Sequence, residues 1–217
     1  MNYDDYVSIN KKTYDDVSLE LKERHKRMGI NEPTVEQYYQ KIIKYLKHKD
    51  NLKYLELGPG DGKVLSYFSK NILDTTAIEI SEKMAQLCLE TSPTTKIIQD
   101  DIKNVTLNNE SFDIIFAGSF VHLFPEKDLT IVMKKAHDWL KKDGVFFIYT
   151  TVHDKDEEGY FAKEKSNYSK QNVRFRHHFT NASLEKLLIN HNFKILEHYE
   201  IPEPENNRLW QFLIATK

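Results

Sequence analysis

The sequence predicts an α/β fold built on a parallel sheet, and two observations carry that expectation. Asn51 to Lys70 reads as a short apolar strand, a turn holding three glycines and the start of an apolar helical stripe. Beyond it, short apolar runs alternate with helical patterns as far as Thr151, the succession that crossover units impose on a parallel sheet. The 217 residues fit one domain. At that size folding buries roughly 70% of the unfolded surface, enough for a core without staples.

Composition excludes several classes of partner. The 31 basic and 33 acidic residues are well mixed and leave a formal net charge of -2, no footprint for nucleic acid, DNA included, or a membrane surface. The single cysteine, Cys88, rules out an internal disulfide and a cysteine metal cluster, and no acid-rich metal constellation is evident. No apolar run has the length of a signal peptide or membrane span. A cytoplasmic protein, monomer or homodimer, is the expectation.

The elements follow in order. Thr13 as N-cap, Asp15 and Asp16 in the first turn and Gly29 as a stop predict a helix from Tyr14 to Met28. Thr34 and Gln37 have capping-box spacing, and Val35, Tyr38, Tyr39, Ile42 and Leu46 share one face of a second helix. Residues 1–50 thus form a helical cap ahead of a core at 51–152. In that core Leu52, Tyr54, Leu55 and Leu57 read as a strand buried on both faces, followed by Gly58, Gly60 and Gly62, and then by Val64, Leu65 and Phe68 of a helix.

The turn discriminates between ligands. A dinucleotide fingerprint would need glycine at position 63, where Lys63 stands; a P-loop would need glycine at 57 and a hydroxyl residue at 64, where Leu57 and Val64 stand. Glu56 and Asp61 would repel a pyrophosphate but attract a sulfonium and an ammonium, which favours S-adenosylmethionine. The run Glu56-Leu57-Gly58-Pro59-Gly60-Asp61-Gly62 resembles motif I of the class I S-adenosylmethionine-dependent methyltransferases.

Later landmarks extend that resemblance to about Lys217. Thr75 to Ile80 reads as a second strand whose Glu79, 21 positions after Gly58, is placed to accept hydrogen bonds from both ribose hydroxyls, with Ile80 against the adenine. Ser81 caps the next helix, whose apolar face holds Met84, Leu87 and Cys88. Lys96 to Asp101 is a third strand; the family implies that Asp101, with Asp100 as its competitor, meets the adenine amino group and that the backbone of Ile102 meets the ring. Phe112 to Phe116 is the fourth strand, and Ala117, Gly118 and Ser119 lie where the family's strand opens towards the reacting sulfur. The Asn/Asp-Pro-Pro-Tyr signature of amino-group methyltransferases is absent there. His122, just beyond, is the ionisable group nearest the implied transfer point, as a base, a substrate contact or a core histidine. The family's N-terminal region often folds over the cofactor, so Tyr14 is a further contact, or else a surface tyrosine.

Pro125 to Lys142 predicts a helix with Leu129, Val132, Met133, Ala136 and Leu140 inward and Gly144 past its end, and Val145 to Thr151 a fifth strand. Residues 153–179 break the alternation: polar and aromatic, ending in Arg174, Arg176, His177 and His178, they suit a lid whose basic residues meet a polar or carboxylate-bearing substrate, or a solvated loop. Residues 180–217 give a helix ended by Asn192 and two strands, Lys194 to Tyr199 and Leu209 to Ala215. The resemblance implies a doubly wound, mostly parallel, seven-stranded Rossmann-like sheet with helices on both faces and a C-terminal antiparallel hairpin. It further implies an enzyme that transfers a methyl group from S-adenosylmethionine to N, O or C of a small molecule. A protein or RNA methyltransferase, or a non-catalytic cofactor-binding regulator, is the alternative.

Overall fold

The computed structural model describes residues 5–27, 32–162, 173–202 and 209–217. The expected helix stop at Gly29 and the middle of the lid, with Tyr168, lie outside them. Seven strands form one sheet in the order β3-β2-β1-β4-β5-β9-β8, with β1 Lys53–Leu57, β2 Asp74–Ile78, β3 Lys96–Ile98, β4 Phe112–Gly118, β5 Leu140–Val152, β8 Lys194–Pro202 and β9 Leu209–Thr216. β1 to β5 run parallel, and β9 enters antiparallel between β5 and β8. The chain moves outward from β1 through β2 to β3, then returns to place β4 on the other side of β1. That reversal opens a crevice at the carboxyl ends of β1 and β4, where open α/β sheets bind ligands.

The strands read as continuous apolar runs because helices cover both sheet faces. Along β1, Tyr54 joins one core with Phe68 and Phe116, while Leu55 and Leu57 join the other with Ile115, Phe146 and Leu129. α3 Lys63–Asn71 buries Val64, Leu65 and Phe68 on the first face, and α5 Glu126–Trp139 buries Leu129, Val132, Met133 and Ala136 on the second. Each of these side chains except Ala136 is worth about 1.5–3 kcal/mol of burial. α4 Glu82–Thr91 is capped by Ser81, whose side chain accepts from Met84 N, and Asn192 takes φ 63 after α6 Asn181–Asn190.

Several elements differ from the sequence expectation, β3 ending already at Ile98 and β8 running on to Pro202 among them. α1 is Tyr6–Arg27, eight residues longer at its start, because Tyr6, Asn10, Thr13 and Val17 form a buried stripe at helical spacing. Thr13 therefore caps nothing; its hydroxyl donates to Val173 O at 2.9 Å. α2 Glu32–Ile43 begins before Thr34, which lies inside it. α5 ends at Trp139, and Leu140, fully buried, already belongs to β5, whose tight excursion at Asp143, φ 65, replaces the expected helix end. The lid region contains a separate antiparallel hairpin of β6 Glu157–Ala162 and β7 Val173–His178. Among the described residues no helix is long and apolar enough to cross a membrane.

Candidate functional site

A cavity of about 440 Å³ opens at the carboxyl ends of β1, β2 and β4. The turn after β1 forms its floor. Gly58, Gly60 and Gly62 take φ values of 65, 60 and 76, a left-handed region open to glycine at little cost. Gly58 N donates to Ile78 O at 2.9 Å, and Gly60 N to Glu79 Oε2 at 3.2 Å, so the turn is tied to the tip of β2.

The three glycines do different work. A Cβ on Gly60 would meet nothing within 4 Å, which leaves a bare backbone surface beneath the cavity. One on Gly62 would lie 2.5 Å from Thr91 Oγ1 and 3.0 Å from Cys88 Cα, so Gly62 serves the approach of α3 to α4 and is not a wall of the cavity. We expect Gly62→Ala to lower stability by about 2 kcal/mol or more through strain and overlap. Gly60→Ala should cost about 1 kcal/mol of stability and weaken ligand binding more than tenfold; thermal melting and calorimetry on both variants check the contrast.

Two buried carboxyls face the cavity. Glu56, 3% exposed at the end of β1, is raised to about 8 by burial; the Tyr54 hydroxyl, donating at 2.7 Å, opposes the rise, and Asp61 and Glu79 add to it. Glu79 is raised to about 7 by burial, against hydrogen bonds from Ser81, Gly60 and Ile80 N–H groups and with Asp15 adding to the rise. Ser81 N reaches Glu79 Oε1 at 2.8 Å and Gly60 N reaches Oε2, and with the Ile80 N–H as a third donor the two oxygens keep lone-pair capacity for a further one. Further along, Asp101 Oδ1 accepts from Lys103 N at 3.0 Å, and Asp100 Oδ1 accepts from Asp101 N at 2.7 Å. Asp100, Asp101, Ile80 and Ile102 all line the cavity, with Asp100 the more exposed acid.

The opposite end is basic and aromatic. His122, 3% exposed in the 3-10 turn after β4, places Nδ1 2.9 Å from Thr150 Oγ1. Burial, then the charges of Arg176 and Arg174, push it well below the usual imidazole range, so the ring is neutral at neutral pH. Arg174 and Arg176 project from one face of β7 into the cavity, where Arg174 Nη1 donates to Tyr14 OH at 3.2 Å. His177 and His178, expected beside the arginines as substrate contacts, do not line it. His177 lies on the other face of β7, stacked 4.1 Å from Phe179 and bonded to Asp156 at 2.8 Å. His178 is stacked between His153 at 3.8 Å and Phe161 at 4.0 Å.

α1 closes over the cavity, as the resemblance implies for the N-terminal region, and it does so through Tyr6 and Asn10 as well, two residues the sequence did not single out. Tyr6 OH donates to Asp128 at 2.6 Å, Asn10 Oδ1 accepts from Phe175 N at 2.8 Å, and Asp15 Oδ1 accepts from Ser81 Oγ at 2.6 Å. Tyr38 of α2, Tyr149 of β5 and Trp210 of β9 complete the wall. Gly118 lines the cavity too, but a Cβ there would lie 2.6 Å from the Tyr149 ring, so its bareness also makes room for that tyrosine. The signal for the α1 residues was present as a period of polar residues. Polar side chains at helical spacing read equally as a solvated face.

Comparison with known proteins finds similarity to methyltransferases. Residues 55–148 match the methyltransferase domain family. The chain is 28% identical over 182 residues to the ribosomal RNA small subunit methyltransferase A of Borreliella afzelii, covering 80% of this chain and 62% of that protein's length. Its fold is similar to that of a Burkholderia thailandensis 1,6-didemethyltoxoflavin-N1-methyltransferase solved with 1,6-didemethyltoxoflavin and S-adenosylhomocysteine, with a TM-score of 0.77, 16% identity, and coverage of 100% of this chain and 91% of that one. An S-adenosylmethionine-dependent methyltransferase from Methanosarcina mazei superposes with a TM-score of 0.67 at 21% identity, covering 81% and 96% of the two chains.

Proposed function

We propose, from the match of residues 55–148 to the methyltransferase domain family and the likeness in fold to S-adenosylmethionine-dependent methyltransferases, that this protein transfers a methyl group from S-adenosylmethionine to a small molecule held against β7. The carrying observation is the pair of buried carboxyls, Glu56 and Glu79, beside a bare glycine turn. Acids kept protonated by burial suit a cationic ligand that lets them ionise. The donor set fits the cofactor. Glu79 has lone pairs for ribose hydroxyls, Asp101 an acceptor for an amino group, Ile80 and Ile102 apolar faces for a base, and Glu56 a carboxylate for an ammonium. Gly58, Gly60, Gly118 and Tyr14 are the remaining proposed contacts.

The bound cofactor supplies an electrophilic methyl on a sulfonium, open to in-line displacement. The chain's own residues do the rest. α1 and the β6–β7 hairpin exclude water, and the aromatic wall orients the acceptor so that positioning supplies most of the rate. His122, neutral by burial, accepts a proton at Nε2 when its Nδ1–H donates to Thr150 Oγ1, a role needed only for an acceptor that starts protonated.

The RNA reading is favoured by the curated relative's name but not by the rim of this site. Ala117-Gly118-Ser119-Phe120 offers no carboxamide to accept from an exocyclic amine, and α1 is bonded across the opening. Labelled methyl from S-adenosylmethionine is expected to enter a metabolite extract and not RNA or protein. Label in RNA alone would overturn the small-molecule reading, and no label with intact cofactor binding would favour a regulator.

Cofactor binding is also expected to release protons. With Glu56 raised to about 8 and Glu79 to about 7, the free protein carries protons near pH 7 that a cationic ligand displaces. Affinity should therefore rise from pH 6 to pH 8, and calorimetric heats should depend on the ionisation enthalpy of the buffer. Affinity that is flat across that window would count against it.

A further inference from the structure

We propose that Arg174 and Arg176 form an anion clamp, so that the methyl acceptor is a small aromatic molecule bearing a carboxylate. The proposal rests on the methyl-transfer reading above and narrows its substrate class.

Both guanidiniums are aimed by the fold. They stand two apart on β7, so their side chains leave the same face, while Phe175 at 0% and His177 at 6% exposure anchor the other face in the core. The strand is held on three sides. β6 pairs with it through Phe161↔Arg174 and Gly159↔Arg176, α1 bonds it through Asn10 and Thr13, and His153 N donates to Phe179 O at 2.7 Å just past its end. Two arginines fixed in this way lose little freedom on meeting a ligand.

Each guanidinium has an orienting contact on the cavity wall: Arg174 donates to the Tyr14 hydroxyl and lies 5.8 Å over its ring, and Arg176 Nη2 lies 3.4 Å from Thr151 Oγ1. The depressed basicity of His122 registers the same positive field inside the cavity. The acids, in contrast, come from the tips of β1, β2 and β3 at the other end. A cavity with one acidic and one basic end fits a cationic ligand and an anionic one side by side. Tyr38, Phe120, Tyr149 and Trp210 line it with flat apolar faces, and a planar carboxylate matches a guanidinium fork.

The test uses the full chain saturated with S-adenosylhomocysteine and three probes of one shape: benzoate, benzamide and benzylamine. Calorimetry, seconded by Trp210 fluorescence, is expected to show benzoate bound at least about tenfold more tightly than benzamide, with benzylamine weakest. The double variant Arg174→Gln/Arg176→Gln should lose that preference while S-adenosylhomocysteine affinity stays within about threefold, and the lysine pair should regain part of it. Benzamide bound as well as benzoate, no benzoate binding at ~10 mM, or a preference that survives in the glutamine pair would overturn the clamp. Wild-type protein that fails to bind S-adenosylhomocysteine would overturn the methyl-transfer reading first, and the clamp with it.

Discussion

Glu79→Ala is expected to raise the dissociation constant for S-adenosylhomocysteine about 100-fold, the loss of two hydrogen bonds to a charged acceptor at roughly 1.5 kcal/mol each. The carboxylate has two tasks at once. It accepts from Gly60 N and Ser81 N, which holds the glycine turn against the tip of β2, and it keeps lone pairs directed at the cavity. Glu79→Gln separates the tasks. The amide oxygen still accepts from one N–H group, so the turn should persist, yet the charge is gone and the loss of affinity should be nearer tenfold. The unliganded Glu79→Gln protein should melt at least as high as wild type at pH 8, because a carboxyl raised to about 7 by burial destabilises the fold once it ionises. The sign follows from proton counts: the folded state binds more protons than the unfolded chain between the two pKa values, so stability falls as pH rises through that window. An affinity for S-adenosylhomocysteine within threefold of wild type in the alanine variant would remove Glu79 from the site.

His122→Ala is expected to lower the turnover rate by about 100-fold or more while cofactor affinity is nearly unchanged. The ring is buried, bonded to Thr150 on one side and bordered by the cavity on the other. Its pH behaviour distinguishes a base from a packing residue. Burial and the two arginines hold the imidazole well below its usual range, so the neutral form persists through pH 6.5 and the rate should fall only in more acidic solution. Arg174→Gln/Arg176→Gln relieves that charge and should move the acid limb upward. Thr150→Val should depress the rate as well, since the hydroxyl fixes which ring nitrogen carries the proton, whereas Thr150→Ser should not. If the loss in His122→Ala appears in the Michaelis constant alone, the ring orients the acceptor. If neither constant changes, it belongs to the core.

Much of this was legible in the sequence, and the physical reasons are local. Burial on both faces makes parallel strands read as apolar runs, so β1, β4 and β5 announced themselves, and left-handed turns select glycine, so the loop after β1 did too. A carboxylate at the tip of β2 follows from spacing alone, because a strand, a turn and a helix of ordinary length place residue 79 beside residue 60. What the sequence could not determine was the path of chain whose buried face is polar. α1 presents Tyr6, Asn10 and Thr13 to β7, and only the partners, Asp128, Phe175 and Val173, show that these are interior hydrogen bonds. The tertiary structure alone decided between the basic residues of the lid. Arg174 and Arg176 face the cavity and His177 and His178 do not, because the pleat of β7 sends alternate side chains to opposite faces and the ring of His178 is taken up between His153 and Phe161. It also divided the glycines, leaving Gly60 bare beside the cavity and Gly62 packed between α3 and α4, a distinction that rests on what lies within 3 Å of a missing Cβ and that no local pattern encodes.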